Sequence, residues 1–307
     1  MTPTQDVCFP ALQGSGLLGF LAAMGLFKTL ASVPELADCQ MKWIAAGGSY
    51  QPVIRIPSSI NEQDIPERIH PALASLAGNY AITLYKDLKI ESSSFRLLAE
   101  RAANDFLHQR ATTPAEMVAS FGSDAVCNDG KMIEDTAFRT MSGAGHQHFL
   151  EFMKVLAKDT TLEQLREAIF GPWRYRDPSP IMRWDSEADR RYALRWDEPS
   201  KDPVRTVRGA NLLAIAALTL FPTAPISSRE IATTGFKGRG SRGTFLTWPI
   251  WSGWLTLDCV RSVISRAELQ NDKSSSSDFA NLGILALFRS QRITLGKFRN
   301  FTPAKAL

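Results

Sequence analysis

The order of apolar and polar residues predicts the elements at the start of the chain. Leu17–Phe27 is apolar on nearly every face, which predicts a buried helix that continues to about Ser32 with Ser15 as its N-cap. Gln40–Ala45 and Pro52–Ile56 alternate apolar with polar residues and are separated by a glycine pair. This alternation predicts a β-hairpin.

The remaining pattern mixes helical and extended periods. Helices are predicted over Glu67–Leu76, Ser94–His108, Pro114–Ser120, Gln147–Ala157, Leu162–Phe170, Arg208–Phe221 and Val260–Gln270. Strands are predicted over Tyr80–Tyr85, Ile181–Trp184, Tyr192–Trp196, Ile231–Gly235, Gly243–Trp248 and Leu255–Leu257, the second and third as one hairpin. The polar segment Phe121–Thr140 is predicted to be a loop. Mixed helices and short antiparallel strands around a shared core indicate an α+β fold.

Composition indicates a globular, cytoplasmic protein. The 307 residues are 44% apolar and 21% charged, near globular averages, which excludes disordered and fibrous classes. The apolar run at Leu17–Phe27 is shorter than the ~20 residues of a membrane span, so no membrane partner is expected. The four cysteines form neither a C-x-x-C motif nor zinc-ligand spacing, which is typical of reduced thiols in the cytoplasm.

Charge divides the chain into two parts. Residues 1–138 hold 10 basic and 15 acidic residues, whereas residues 139–307 hold 25 basic and 16 acidic residues. We therefore predict an acidic N-terminal α+β part (1–138) and a basic, Arg- and Trp-rich α+β part (139–307), with one shared domain as an open alternative. A basic part that is rich in arginine indicates an anionic partner, because the guanidinium group binds phosphate in a bidentate way.

Three basic segments supply the candidate nucleic-acid contacts. The Gly-rich loop contributes Lys237, Arg239 and Arg242, and the C-terminal segment contributes Arg289, Arg292, Lys297 and Arg299. A third, Arg- and aromatic-rich segment contributes Arg174, Arg176, Arg183, Arg190, Arg191, Arg205 and Arg208. Lysine and arginine neutralise backbone phosphates, and glycine lets the backbone approach them closely.

The third segment, Trp173–Arg208, is open to two interpretations. Arginines that alternate with aromatic residues are typical of a basic face, on which any exposed ring stacks on a base. The same segment holds seven acidic residues, so the arginines could instead pair internally while the tryptophans fill the core. The sequence does not decide between these interpretations.

The sequence contains no complete catalytic motif among those considered. His146 and His148 precede a predicted helix and follow several carboxylates, but no H-E-x-x-H, Walker A or G-x-S-x-G motif completes a site. We therefore expect a protein that is not an enzyme, with no catalytic residues, no metal and no cofactor. A metal-dependent nuclease that uses His146, His148 and nearby acids is kept as an alternative.

Several segments resemble one known family. They resemble the large-subunit-like proteins of type I-U (also called I-G) CRISPR systems, and about a third of the chain carries the likeness. The segments are Leu17–Phe27 followed by Lys42-Trp43, Phe170–Tyr175, Arg190–Ala193, Thr206–Asn211 and Phe288–Ile293. The chain is short for a full large subunit, so a reduced version or a companion subunit is expected.

The resemblance implies a non-catalytic role in antiviral defence. A subunit of this family acts in an RNA-guided effector complex, where guide pairing reads the sequence and protein cations hold the backbones. The implied partners are the guide RNA, the target DNA and other effector subunits. A scaffold that binds only proteins is a further alternative.

Overall fold

The computed structural model describes residues 3–128, 131–141, 147–188, 204–238, 243–295 and 298–307. It confirms the predicted α+β fold, with helices and small antiparallel sheets around a common core. The helices are α1 (Leu17–Ala31), α2 (Ile65–Ser75), α3 (Tyr80–Thr83), α4 (Ser92–Gln109), α5 (Thr112–Phe121), α6 (Phe149–Asp159), α7 (Leu162–Phe170), α8 (Arg208–Ala217) and α9 (Leu257–Ile264). None of the described helices has the length and apolar character needed to cross a membrane.

The strands form small antiparallel sheets. They are β1 (Thr4–Cys8), β2 (Gln40–Ala46), β3 (Ser49–Pro57), β4 (Gly122–Cys127), β5 (Ile133–Asp135), β6 (Thr223–Ser227), β7 (Glu230–Thr233), β8 (Phe236–Gly238), β9 (Thr244–Trp251), β10 (Ile284–Leu295), β11 (Phe298–Phe301) and β12 (Lys305–Ala306). The order is β1-β3-β2 in one sheet and β11-β10-β9-β8 in another, where β12 also pairs with β10. Strands β4 and β5, and β6 and β7, pair as separate two-stranded ribbons.

Helix α1 lies at the centre of the core because its sequence has no polar face. Every residue of the apolar run Leu17–Phe27 is buried, which confirms the predicted core helix. Helix α8 packs against α1 over most of its length. Gly25 permits this approach, since a Cβ atom there would overlap the carbonyl oxygen of Leu213.

The N-terminal sheet contains the predicted hairpin. Strands β2 and β3 pair in register, and the glycines at 47 and 48 both adopt positive φ angles, 59° and 77°, as a tight hairpin turn requires. Trp43 of β2 packs against Phe20 of α1 and against Trp251 of β9. The first sheet is therefore joined to the central helix and to the C-terminal sheet.

The basic C-terminal segment forms part of the larger sheet. Strand β10 pairs with β9 on one side and with β11 on the other, where Thr294 lies opposite Arg299. Trp248 of β9 donates its indole N–H to the carbonyl oxygen of Gly14 at 2.9 Å. The sheet is thus fixed against the turn that leads into α1.

The buried cluster contains residues from both charge parts. Phe138, at the end of the acidic part, contacts the rings of Trp184, Phe221 and Phe236 in edge-on geometry. One continuous hydrophobic cluster therefore crosses the charge boundary. The division into parts 1–138 and 139–307 stays a prediction from charge.

Two segments adopt structures that differ from their predictions. Tyr80–Tyr85 is not a strand, because the side chain of Asn79 accepts a hydrogen bond from the Ala81 amide and caps the short helix α3. Phe121–Thr140 is not a continuous loop, because the main chain of β4 pairs with that of β5. Short polar strands of this kind have no apolar alternation that would reveal them in a sequence.

Two further predictions are wrong, and side-chain hydrogen bonds explain the observed structure in each. The N-cap of α1 is Gly16 rather than Ser15, whose hydroxyl lies 2.6 Å from that of Ser49. Ile181–Trp184 is not a strand, because the Met182 amide donates to Asn211 Oδ1 and its carbonyl oxygen accepts from Thr140 Oγ1. The predicted partner strand, Tyr192–Trp196, lies outside the described residues.

Candidate nucleic-acid interface

A polar cleft of about 710 Å³ is lined by residues of the strands β5 to β11, together with residues from 88–89 and from 128–139. Five basic and three acidic residues line it, which leaves a net charge of +2. The basic residues are Lys89, Arg139, Lys237, Arg292 and Arg299, and the acidic ones are Glu134, Asp135 and Glu230. The cleft therefore joins Lys237, Arg292 and Arg299, which the sequence placed in two separate segments.

Arg139 forms the floor of the cleft. Its guanidinium lies 2.7 Å from Asp135 Oδ2 and 3.4 Å from Asp87 Oδ1, and its side chain is only 11% exposed. Sequence reasoning missed Arg139 because it directly follows an acid-rich segment and lies in none of the three basic segments. The two carboxylates compensate its charge.

Arg292 and Arg299 form one wall of the cleft from the neighbouring strands β10 and β11. Arg292 Nη1 donates to the carbonyl oxygen of Ala137 at 2.8 Å, and Arg299 Nη1 donates to that of Arg139 at 3.4 Å. The Arg299 amide also donates to the Thr140 carbonyl oxygen at 2.9 Å. These bonds hold Arg292 and Arg299 against residues 137–140, where the acidic part of the chain ends and the basic part begins.

Neither Arg292 nor Arg299 forms an ion pair within the part of the chain that the structure describes. Both side chains are half-buried, and they lie diagonally to each other on paired strands, where Arg292 is opposite Phe301 and Arg299 is opposite Thr294. Burial, with a smaller effect of the neighbouring Arg299, lowers the pKa of Arg292 to about 10, although Asp135 opposes the change. The group is still a cation at neutral pH, so the wall presents two charges without carboxylate partners.

Asp135 is the acidic group inside the cleft. Burial raises the pKa of its carboxyl group, whereas Arg139 and Arg299 act in the opposite direction. The rim of the cleft consists of its exposed charged residues, which are the cations Lys89 and Lys237 and the acids Glu134 and Glu230. The rim is therefore close to neutral, and the excess positive charge belongs to the interior.

The remaining arginines of the C-terminal and aromatic segments are placed differently. Arg289 donates to Thr247 Oγ1 and to the carbonyl oxygen of Asn271, both at 2.8 Å, and does not line the cleft. Arg174, Arg176 and Arg205 are exposed, and Arg183 and Arg208 are half-buried. Arg190, Arg191, Arg239, Arg242 and Lys297 lie outside the described residues.

The described aromatic residues of the third segment belong to the core. Trp184 is fully buried and donates its indole N–H to the Phe138 carbonyl oxygen at 3.0 Å. Trp173 donates to the carbonyl oxygen of Ala168, and the Tyr175 hydroxyl donates to Asp185. For these three rings the structure supports the core interpretation rather than stacking on bases.

The histidine pair is described only in part. His148 Nδ1 lies 3.8 Å from Asp87 Oδ2, behind the floor of the cleft, while His146 is outside the described residues. Among the residues with described positions, no three histidine, cysteine or acidic side chains group as metal ligands do. Nothing in the described part of the chain therefore completes the metal site that a nuclease would need.

Sequence comparison does not assign the chain to a family. No protein-family model matches the chain, and no curated protein matches it either. The chemistry of the cleft is therefore the basis for a functional assignment.

Proposed function

We propose that this protein is a nucleic-acid-binding, non-catalytic subunit of an RNA-guided, type I-like CRISPR effector complex in antiviral defence. Its cleft holds phosphates of the guide RNA or the target DNA. One observation carries the proposal: Arg292 and Arg299 face the same cleft, held by main-chain carbonyl groups and without carboxylate partners among the described residues. Guanidinium groups that are fixed in this way are suited to bind phosphate oxygens in pairs.

The geometry supports backbone binding better than base recognition. The cleft offers cations from four chain segments, and neither described tryptophan of the Arg-rich segment lines it: Trp184 is buried, and Trp173 is half-buried. Contacts to phosphates position a nucleic acid without reading its sequence. This matches a complex in which base pairing with the guide supplies the specificity.

The setting of the proposal is the cytoplasm. Cys8, Cys39, Cys127 and Cys259 are all free thiols, as is usual in a reducing compartment. The resemblance of the sequence to CRISPR large-subunit-like proteins supports the effector complex as the assembly. The other subunits of that complex are the expected protein partners.

Fluorescence anisotropy tests the proposal with labelled single-stranded RNA, single-stranded DNA and duplex DNA. We expect binding that weakens steeply between about 50 and 200 mM salt, because neutralised phosphates release counterions. In the triple variant Lys237→Ala/Arg292→Gln/Arg299→Gln, the slope of log K against log salt should fall by about one for each lost cation. Circular dichroism and thermal melting check that the variant is folded.

A matched variant removes the same number of charges elsewhere. Lys158, Lys273 and Lys305 are exposed and do not line the cleft, so Lys158→Ala/Lys273→Ala/Lys305→Ala should keep the wild-type slope. Equal losses in both triple variants would contradict binding in the cleft. Absence of wild-type binding at low salt would favour the protein-only scaffold, and Mg²⁺- or Mn²⁺-dependent cleavage that disappears in His148→Ala would favour the nuclease.

A further inference from the structure

Two positive charges in the interior of the cleft, those of Arg292 and Arg299, have no ion pair with any residue that the structure describes. Arg139 is shared by Asp135 and Asp87, so its charge is compensated within the protein. Arg292 and Arg299 have main-chain carbonyl partners, and the structure gives neither an ion pair within the described chain. A ligand group that carries two negative charges would balance this pair.

The ends of nucleic acids differ from their interior in charge. A backbone phosphodiester carries one negative charge, whereas a phosphomonoester carries about 1.5 to 2 at pH 7 because its second pKa is near 6. Two half-buried guanidinium groups side by side therefore match a terminal phosphate better than an internal one. A strand that ran along a surface would instead meet a row of exposed cations.

The cleft also has room for more than a phosphate ion. Its volume of about 710 Å³ is within the range of sites that enclose a small organic ligand. Ile226 of β6 lines the same cleft with a side chain that is 62% exposed, which offers an apolar surface to a sugar or base. The dimensions thus suit one nucleotide with its phosphate directed at Arg292 and Arg299.

We propose that the cleft binds a terminal phosphomonoester, with Arg292 and Arg299 as the groups that hold its dianion and Lys237 as a contact to the adjoining backbone. This inference rests on the proposed nucleic-acid function and names the part of the ligand that the cleft recognises. The dianion is supplied either by the 5′ or 3′ end of an oligonucleotide or by a free mononucleotide.

Direct binding to matched RNAs tests this inference. Three labelled RNAs of one sequence carry a 5′-hydroxyl, a 5′-phosphate or the methyl ester of that phosphate, which has one charge fewer. We expect the phosphorylated RNA to bind about tenfold more tightly than the other two, as charge-assisted hydrogen bonds of this kind provide. A fourth RNA with a 3′-phosphate and competition with AMP distinguish the two ends and the free nucleotide.

Three substitutions separate the roles of Arg299 and Lys237. Arg299→Gln should abolish the preference for the phosphomonoester, and Arg299→Lys should restore part of it by returning the charge. Lys237 is exposed at the rim, so Lys237→Ala should weaken all RNAs by the same factor and leave the preference intact. Thermal melting of each variant confirms folding.

The outcomes separate this inference from the proposed function. Equal affinity of wild-type protein for the hydroxyl, phosphate and methyl-ester ends would overturn the terminal-phosphate inference, even if all three RNAs bind in the cleft. A preference that survives in Arg299→Gln would overturn the assigned residues. If neither the RNAs nor the DNAs bind, or if cleft substitutions change nothing, the proposed function itself fails.

Discussion

At the scale of single residues, local charge identified residues that line the cleft, whereas their positions along the chain did not show that they lie together. Lys237, Arg292 and Arg299 were identified from their local excess of positive charge, and the structure places all three on one cleft. Their convergence could not be read from the sequence, because it depends on the pairing of β10 with β11. Arg139 was not identified from the sequence, because the chain around it shows no local excess of positive charge. In the structure its charge is balanced by Asp87 and Asp135.

A substitution of Trp184 tests whether this aromatic ring stacks on a base or fills the core. Trp184→Phe should lower the free energy of unfolding by about 1–3 kcal/mol, because the buried Phe138 carbonyl oxygen loses its donor. RNA affinity of the folded variant should not change. Urea denaturation and anisotropy measure the two effects, and a loss of affinity without a loss of stability would contradict the core assignment.

Asp135 gives the protein a defined dependence of stability on pH. Burial raises its pKa in the folded state, so its contribution to stability is fully present below its unfolded pKa of about 3.9 and is lost as the pH rises through the folded value. Asp135→Asn removes this ionisation. The stability of the variant relative to wild type should therefore increase from pH 3.5 to pH 6.5.

Urea denaturation at both pH values measures that difference. Because only the difference between variant and wild type is used, the titration of other groups largely cancels. A relative stability that stays constant or decreases with pH would contradict the raised pKa.

At the scale of elements, long apolar patterns were predicted well and short polar ones were not. The helix α7 was predicted with its observed bounds, and the β2–β3 hairpin was recognised, because their apolar positions repeat with a clear period. Helices α1 and α8 were recognised instead as long apolar runs, in which nearly every residue is buried. Tyr80–Tyr85 failed because six residues cannot separate a helical from an extended pattern. Strands β4 and β5 were not predicted, because main-chain pairing rather than a pattern of side chains defines them.

The contact between α1 and α8 depends on one missing methyl group. In Gly25→Ala the new Cβ would overlap the main chain at Leu213, so the helices must separate and the protein should lose about 1–3 kcal/mol of stability or more. Gly78→Ala is a matched control, since a Cβ there meets no atom within 4 Å. Its change should stay within about 0.5 kcal/mol in the same urea titration, and equal effects of both substitutions would contradict the packing explanation.

At the scale of the whole molecule, the charge of the chain changes sign while one hydrophobic cluster contains residues from both sides of the change. The sequence indicated an acidic and a basic part, yet the hydrophobic cluster passes through both, and the cleft takes Asp135 from one part and Arg139, Arg292 and Arg299 from the other. Net charge depends on surface residues, whereas the core depends on apolar ones. The division into parts 1–138 and 139–307 therefore stays a prediction from charge, with one shared domain as its alternative.

The hydrogen bonds from Arg292 to Ala137 and from Arg299 to Arg139 connect the C-terminal sheet to the point where the charge of the chain changes sign. Two separate polypeptides, cut between residues 138 and 139, would each carry only part of the cleft. Neither polypeptide alone would contain the whole cleft, and only their reassociation would restore it. The proposed phosphate binding would in that case depend on the junction between the two parts of the chain.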